Sequence, residues 1–175
     1  MKAPSFIYLI IYSCFIMSVS LQAQEHFADR YNVSYITMDD GLPHNFIDDI
    51  YKDTRGFLWI STAGGGLSRY DGYEFIHFNP NTPHSKLKSN FIHNVYEDRF
   101  HRLWIVSEGG TDIIDLSTLQ SVIPNDPKGL LPRFINHPTY IVILDSQGCI
   151  WLQCDNALHR ITFDAEGGID TLSTL

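Results

Sequence analysis

The sequence predicts an all-β protein, an incomplete β-propeller of about three four-stranded antiparallel blades, and three observations carry that prediction. One stretch recurs: Asn45 to Tyr70 reads NFIDDIYKDTRGFLWISTAGGGLSRY, Asn90 to Ile114 reads NFIHNVYEDRFHRLWIVSEGGTDII, and His137 to Ile161 contains IVILDSQGCIWLQCDNALHRI. Its anchors are Asp53, Asp98 and Asp145, followed by Trp59, Trp104 and Trp151, which are the chain's 3 tryptophans. The period, 45 residues and then 47, is that of a repeat architecture. Gly and Asp also break the apolar pattern at short intervals, and no helical stripe persists, so the repeat unit reads as four short strands joined by hairpins. Such a unit is one propeller blade.

The N-terminus is of another kind. Lys2, an apolar run from Phe6 to Val19 and the small residue Ala23 ahead of a polar segment form the pattern of a signal peptide, residues 1–23. The run is short for a membrane span of roughly 20 residues, although an uncleaved anchor stays open. Residues 24–41 read as a lead-in segment with a strand at Val33–Thr37, which in a complete ring would latch onto the last blade.

Blade 1 is assigned to 42–86, with strands Phe46–Lys52, Phe57–Thr62, Leu67–Asp71 and Glu74–Phe78. Its first hairpin is Asp53-Thr54-Arg55-Gly56, where Asp suits the start of a type I turn and Gly the left-handed position after it. Blade 2, 87–133, repeats this with strands near Phe91–Glu97, Arg102–Ser107, Thr111–Leu116 and Gln120–Ile123. There His101 replaces the turn Gly, and histidine tolerates the left-handed region better than most residues. Blade 3, 134–175, uses Thr139–Leu144, Cys149–Cys154, Ala157–Phe163 and Ile169–Leu172, with Gly148 back in the turn. Closed propellers have roughly four to eight blades, so the sequence is expected to be the N-terminal part of a longer ring.

The motifs Gly41-Leu42-Pro43-His44-Asn45, Ile50-Tyr51-Lys52-Asp53, Gly56-Phe57-Leu58-Trp59-Ile60-Ser61-Thr62 and Gly65-Gly66-Leu67-Ser68-Arg69-Tyr70-Asp71-Gly72 resemble the two-component regulator propeller family. The resemblance implies the periplasmic sensor region of a hybrid two-component system of Bacteroides-like bacteria, often with a glycan fragment as signal. Kinase and DNA-binding parts belong to other domains of such proteins and are not implied for this stretch. The implied partners are therefore an oligosaccharide ligand and further propeller blades or another propeller copy. Contact with the membrane would come only through other parts of the protein or an uncleaved signal. The alternatives are a secreted propeller enzyme of the streptogramin-lyase type and an inactive scaffold fragment.

Charge and motif content narrow the chemistry. A net charge of −8 with no basic run argues against a nucleic-acid partner. Cys149 and Cys154 lie on one strand at odd separation, too far apart for a disulfide, and are expected as free thiols. No P-loop, dinucleotide fingerprint, nucleophile elbow or metal-ligand spacing occurs, so no catalytic residue, metal or cofactor is assigned. Within a repeat, recurring residues are scaffold and departures are better ligand candidates. Asn45, Asn90, Asp53, Asp98, Asp145, Gly56, Gly148 and the tryptophans Trp59, Trp104 and Trp151 are read as structural, with the asparagines capping turns and the indoles packed between blades. His44, Lys88, Glu108, His137, Asp155 and Asn156 vary between copies. They fall on the loops at one end of the blades, where a carbohydrate site would lie.

Overall fold

A computed structural model describes residues 33–83 and 86–175. The signal-peptide assignment, 1–23, lies outside the described residues.

Among the described residues, eleven strands form three antiparallel sheets in sequence order. The first sheet contains β1 (Ile47–Lys52), β2 (Leu58–Thr62), β3 (Gly66–Tyr70) and β4 (Phe75–Phe78). The second contains β5 (Ile92–Glu97), β6 (Arg102–Ser107) and β7 (Gly110–Asp115). The third contains β8 (Thr139–Leu144), β9 (Ile150–Cys154), β10 (Ala157–Phe163) and β11 (Ile169–Thr174). Each sheet is an up-and-down meander, the construction of a propeller blade. A four-residue helix, α1 (Pro132–Ile135), interrupts the connection from blade 2 to blade 3.

The second blade lacks the expected fourth strand at Gln120–Ile123. Asp115 folds the chain into a tight turn in which its carboxylate accepts the N–H groups of Ser117 and Thr118 and Leu119 takes φ 57°. The return path meets β7 at a single bridge, Ile114 with Ser121, before Pro124, which has no N–H to continue a ladder. The latch strand is also absent: residues 33–37 form no strand. Thr37 and Asp40 instead make a reciprocal capping box around a 3₁₀ turn, Met38–Asp40, which takes up the Thr37 N–H at 2.8 Å. Gly41 follows at φ 107°, a conformation that needs glycine, and sits against the Phe75 ring.

Two apolar clusters hold the blades together. Trp59, Leu67 and Phe78 of blade 1 pack on Leu87, Ile92, Val95, Leu103, Ile105, Ile114 and Leu116. Trp104, Val106 and Ile113 of blade 2 pack on Val142, Ile150, Leu152, Ile161, Phe163 and Ile169, with Leu131 and Phe134 from the connection. Each of these sheets turns its tryptophan face to the back of the next. Trp59 and Trp104 are fully buried, whereas Trp151 is only partly covered and joins neither cluster. Ile141 and Ile143 on the same face of blade 3 are about half exposed (46% and 49%).

Candidate functional site

The recurring residues explain one another locally. In the turn after β1, Asp53 Oδ1 accepts the N–H groups of Arg55 and Phe57, while Oδ2 accepts the Trp59 indole N–H at 2.9 Å. Asp98 does the same for Phe100, Arg102 and Trp104, and Asp145 for Gln147, Cys149 and Trp151. The position three residues after each Asp has positive φ: Gly56 at 95°, His101 at 58°, Gly148 at 76°. A fourth such turn, missed in the sequence because no tryptophan follows it, joins β10 to β11, where Asp164 Oδ1 accepts from Glu166 and Gly168.

These turns also bind neighbouring blades. The buried Glu97 carboxylate of blade 2 accepts the N–H and hydroxyl of Thr54 from blade 1, both at 2.7 Å, and contacts His101 Nδ1 at 2.9 Å. Burial raises this carboxyl, but the two Thr54 donors and His101 outweigh it and leave the group below its ordinary value. Arg55 bonds to the Leu116 carbonyl. Arg99 and Arg102 reach the carbonyls of Phe163, Asp164 and Gly167 in blade 3. Arg102 is itself paired with Asp98 at 2.7 Å and lies over the rings of Phe100 and Phe163. Nearer the first strands, Asp49 Oδ2 accepts the Val95 N–H, and Asn94 exchanges two bonds with Val142. Ile141 occupies the corresponding place in blade 3.

The loops into the first strands and the loops between second and third strands share one end of each sheet, since Ile47 pairs with Thr62, Ile92 with Ser107 and Thr139 with Cys154. All six ligand candidates lie near that end, but only three come together. His44 is a turn residue: its Nδ1 accepts the Phe46 N–H at 3.0 Å, as Ser89 Oγ does for Phe91 in blade 2. Lys88 is tied to its own blade, with Nζ 2.6 Å from the Thr111 carbonyl and 3.1 Å from Asp112. It borders a separate cavity of about 160 Å³ with Lys86, Ile113, Val122 and Ile135. Glu108 projects into solvent from the β6–β7 turn. The asparagines differ in role: Asn45 Oδ1 caps the Met38 N–H, while Asn90 acts through its carbonyl, which accepts from Gly66.

His137, Asp155 and Asn156 do converge. His137 Nδ1 stands 3.6 Å from Asp155 Oδ2. Asp155, Asn156, Pro138 and Tyr140 line an open cleft of about 410 Å³. Tyr140, 52% exposed, was not among the sequence candidates. It is the extra residue of a bulge between Thr139 and Ile141, and bulges re-aim side chains. The same bulge occurs at Asp48 and His93 in the other blades. The His93 ring lies 5.3 Å from Tyr140. The neighbouring Cys154 is a free, buried thiol whose ionisation is pushed up by burial and then by the Asp155 charge. Cys149 is likewise free and buried. Among the described residues, no group of three or more His, Cys, Asp or Glu is placed to hold a metal.

Meandering sheets stacked tryptophan face to back define the class as a β-propeller. The family described as two component regulator propeller matches residues 41–64 and 86–109, the stretches that carry the first two strands of blades 1 and 2. No curated protein matches the sequence. Among solved structures, the extracellular domain assigned to a hybrid two-component system of B. thetaiotaomicron superposes with TM-score 0.63 at 22% identity, over 79% of this chain and 19% of that one. A second extracellular domain of that organism, assigned to a one-component system, gives 0.57 at 23% identity, over 75% and 19%. The chain thus spans about a fifth of the length of these two structures, and at these identities the likeness concerns the fold.

Proposed function

We propose that this chain is a ligand-sensing propeller segment from the periplasmic part of a hybrid two-component regulator, that its signal is an oligosaccharide, and that it performs no chemistry itself. The single observation that carries the reading is the blade 3 cleft. An exposed aromatic ring beside a carboxylate, an amide and an imidazole is the equipment for holding a sugar ring, with the apolar face on the aromatic and hydroxyls on the polar groups. The family of the repeats supports the sensor role, and the extracellular placement of the matched structures supports export. A binding rather than catalytic role fits the carboxylates Asp53, Asp98 and Asp145, all of which are engaged by turn and indole donors.

The test is titration of the full chain with an oligosaccharide panel, read by calorimetry and by NMR of the Tyr140 and Asn156 signals. Saturable binding that Tyr140→Ala weakens at least about tenfold is the expected result, base-sized stacking on an aromatic being worth roughly 1–3 kcal/mol where measured. A panel without binders, or binding indifferent to Tyr140, would refute the reading.

A further inference from the structure

Resting on the oligosaccharide reading, we infer that the sugar held in the blade 3 cleft carries a free, positively charged amino group, seated between the Asp155 carboxylate and the Tyr140 ring.

Asp155 differs from the aspartates of the repeat. Asp53, Asp98 and Asp145 each bond two main-chain N–H groups and an indole. Asp155 Oδ2 has His137 Nδ1 at 3.6 Å, beyond hydrogen-bond length, and its side chain is 65% exposed. It is the one acidic group among the four residues lining the cleft. An aromatic face attracts cations through its quadrupole, and a carboxylate beside it adds a charge-assisted hydrogen bond. Together they favour ammonium over hydroxyl: a hydroxyl can still donate to the carboxylate, but only an ammonium adds its own charge to the pairing with the carboxylate and the ring.

The turn backbone points the same way. Asp155 and Asn156 both have positive φ, 50° and 61°, the paired left-handed conformation of a two-residue hairpin that favours glycine. The corresponding turn of blade 2 is Glu108-Gly109, and that of blade 1 is Ala63-Gly64-Gly65. Blade 3 alone keeps two polar side chains in this conformation, and both line the cleft.

Three disaccharides with the same β-1,4-linked skeleton separate the terms: the glucosamine dimer, its N-acetylated form and cellobiose, which differ in bearing ammonium, acetamide or hydroxyl at C2. NMR titration of the full chain is expected to show the glucosamine dimer binding about tenfold tighter than the other two, a margin set by the ion pair with Asp155 and the cation–π attraction of Tyr140 that the neutral sugars lack. Asp155→Asn should erase the margin, since Asn tolerates the left-handed turn and the fold survives. Tyr140→Leu should weaken every sugar that binds. Equal affinity for the three, or a margin that persists in Asp155→Asn, overturns the amino-group inference and leaves the sugar reading standing. If none of the three moves the Tyr140 and Asn156 signals while another oligosaccharide does, the inference again fails alone. If no oligosaccharide moves them, both fail.

Discussion

Asp98 and Asp145 build the same turn in opposite surroundings. Each accepts two main-chain N–H groups and an indole N–H at 2.8 Å. Around Asp98 everything is closed: its side chain is fully buried, Arg102 covers it, and Trp104 is sealed between blades 2 and 3. Around Asp145 the surface is open, with Trp151 partly exposed beneath Arg160 at 5.8 Å. The turn therefore needs no neighbouring blade to form, since its hydrogen bonds are local. Its tryptophan, in contrast, contributes fully only when another sheet covers it. The repeat thus separates two jobs, a hairpin that shapes the blade and an indole that joins blades.

The sharpest way to break this comparison is to remove the indoles. Trp104→Ala is expected to destabilise the chain by about 3–5 kcal/mol, the range for emptying a fully packed aromatic site. Trp151→Ala, at a site already in contact with water, should cost only about 1–2 kcal/mol. Urea unfolding of the full chain measures both. Equal losses would mean that the inter-blade contact adds nothing to Trp104.

The aspartates give the next effect. Asp98→Ala strands the Arg102 guanidinium in a buried site and is expected to cost about 3–5 kcal/mol, as for other buried ion pairs broken on one side. Asp145→Ala should cost less because water can replace its partners. The two Asp145 oxygens are nevertheless strongly engaged. The Cys149 N–H first, and then the Trp151 indole, hold its carboxyl at about 2 in the folded chain. Because that value lies below the ordinary one, the contribution is complete above the unfolded carboxylate range and fades as pH falls through the folded value. The Trp151 indole N–H resonance should therefore shift in acid toward about pH 2, and Asp145→Asn should abolish that titration. A shift centred on the ordinary carboxylate value would mean that the indole bond is absent.

The parts legible in the sequence were those written in local chemistry. The Asp, the left-handed residue and the Trp sit within seven positions of one another, so spacing alone revealed the turns. The capping box that replaced the latch strand was equally local, in Thr37 and Asp40, but the weak alternation of 33–37 drew attention away from it. What stayed hidden depended on distance or on substitution by a different atom. Variation at His44 looked functional, yet Ser89 supplies the same acceptor in blade 2. Tyr140 escaped notice because a bulge, rather than strand alternation, aims it. The clue was a slip in the pattern at one place in every copy: Asp48-Asp49, His93-Asn94 and Tyr140-Ile141. The asymmetry of Trp151 is a matter of what covers a face, which no spacing encodes.

The smallest effect tests the turn itself. His101 holds φ 58° where Gly56 and Gly148 stand in the sister blades, and its ring touches Glu97 at 2.9 Å with about two-thirds of the side chain in water. Replacing it with Ala removes the ring and keeps a Cβ in the left-handed region. Replacing it with Gly removes the ring and the steric penalty together. His101→Gly should thus be more stable than His101→Ala by about 1 kcal/mol, the usual glycine advantage where φ is positive. The wild type should fall between them, because Glu97 keeps its two Thr54 donors and a contact whose His101 end lies in water adds only about 0–1 kcal/mol. Chemical denaturation at a pH above the histidine range gives the ordering. Equal stability of the Ala and Gly variants would mean that blade 2 closes its turn with a backbone unlike that of blades 1 and 3, and the shared-turn half of the comparison would fall with it.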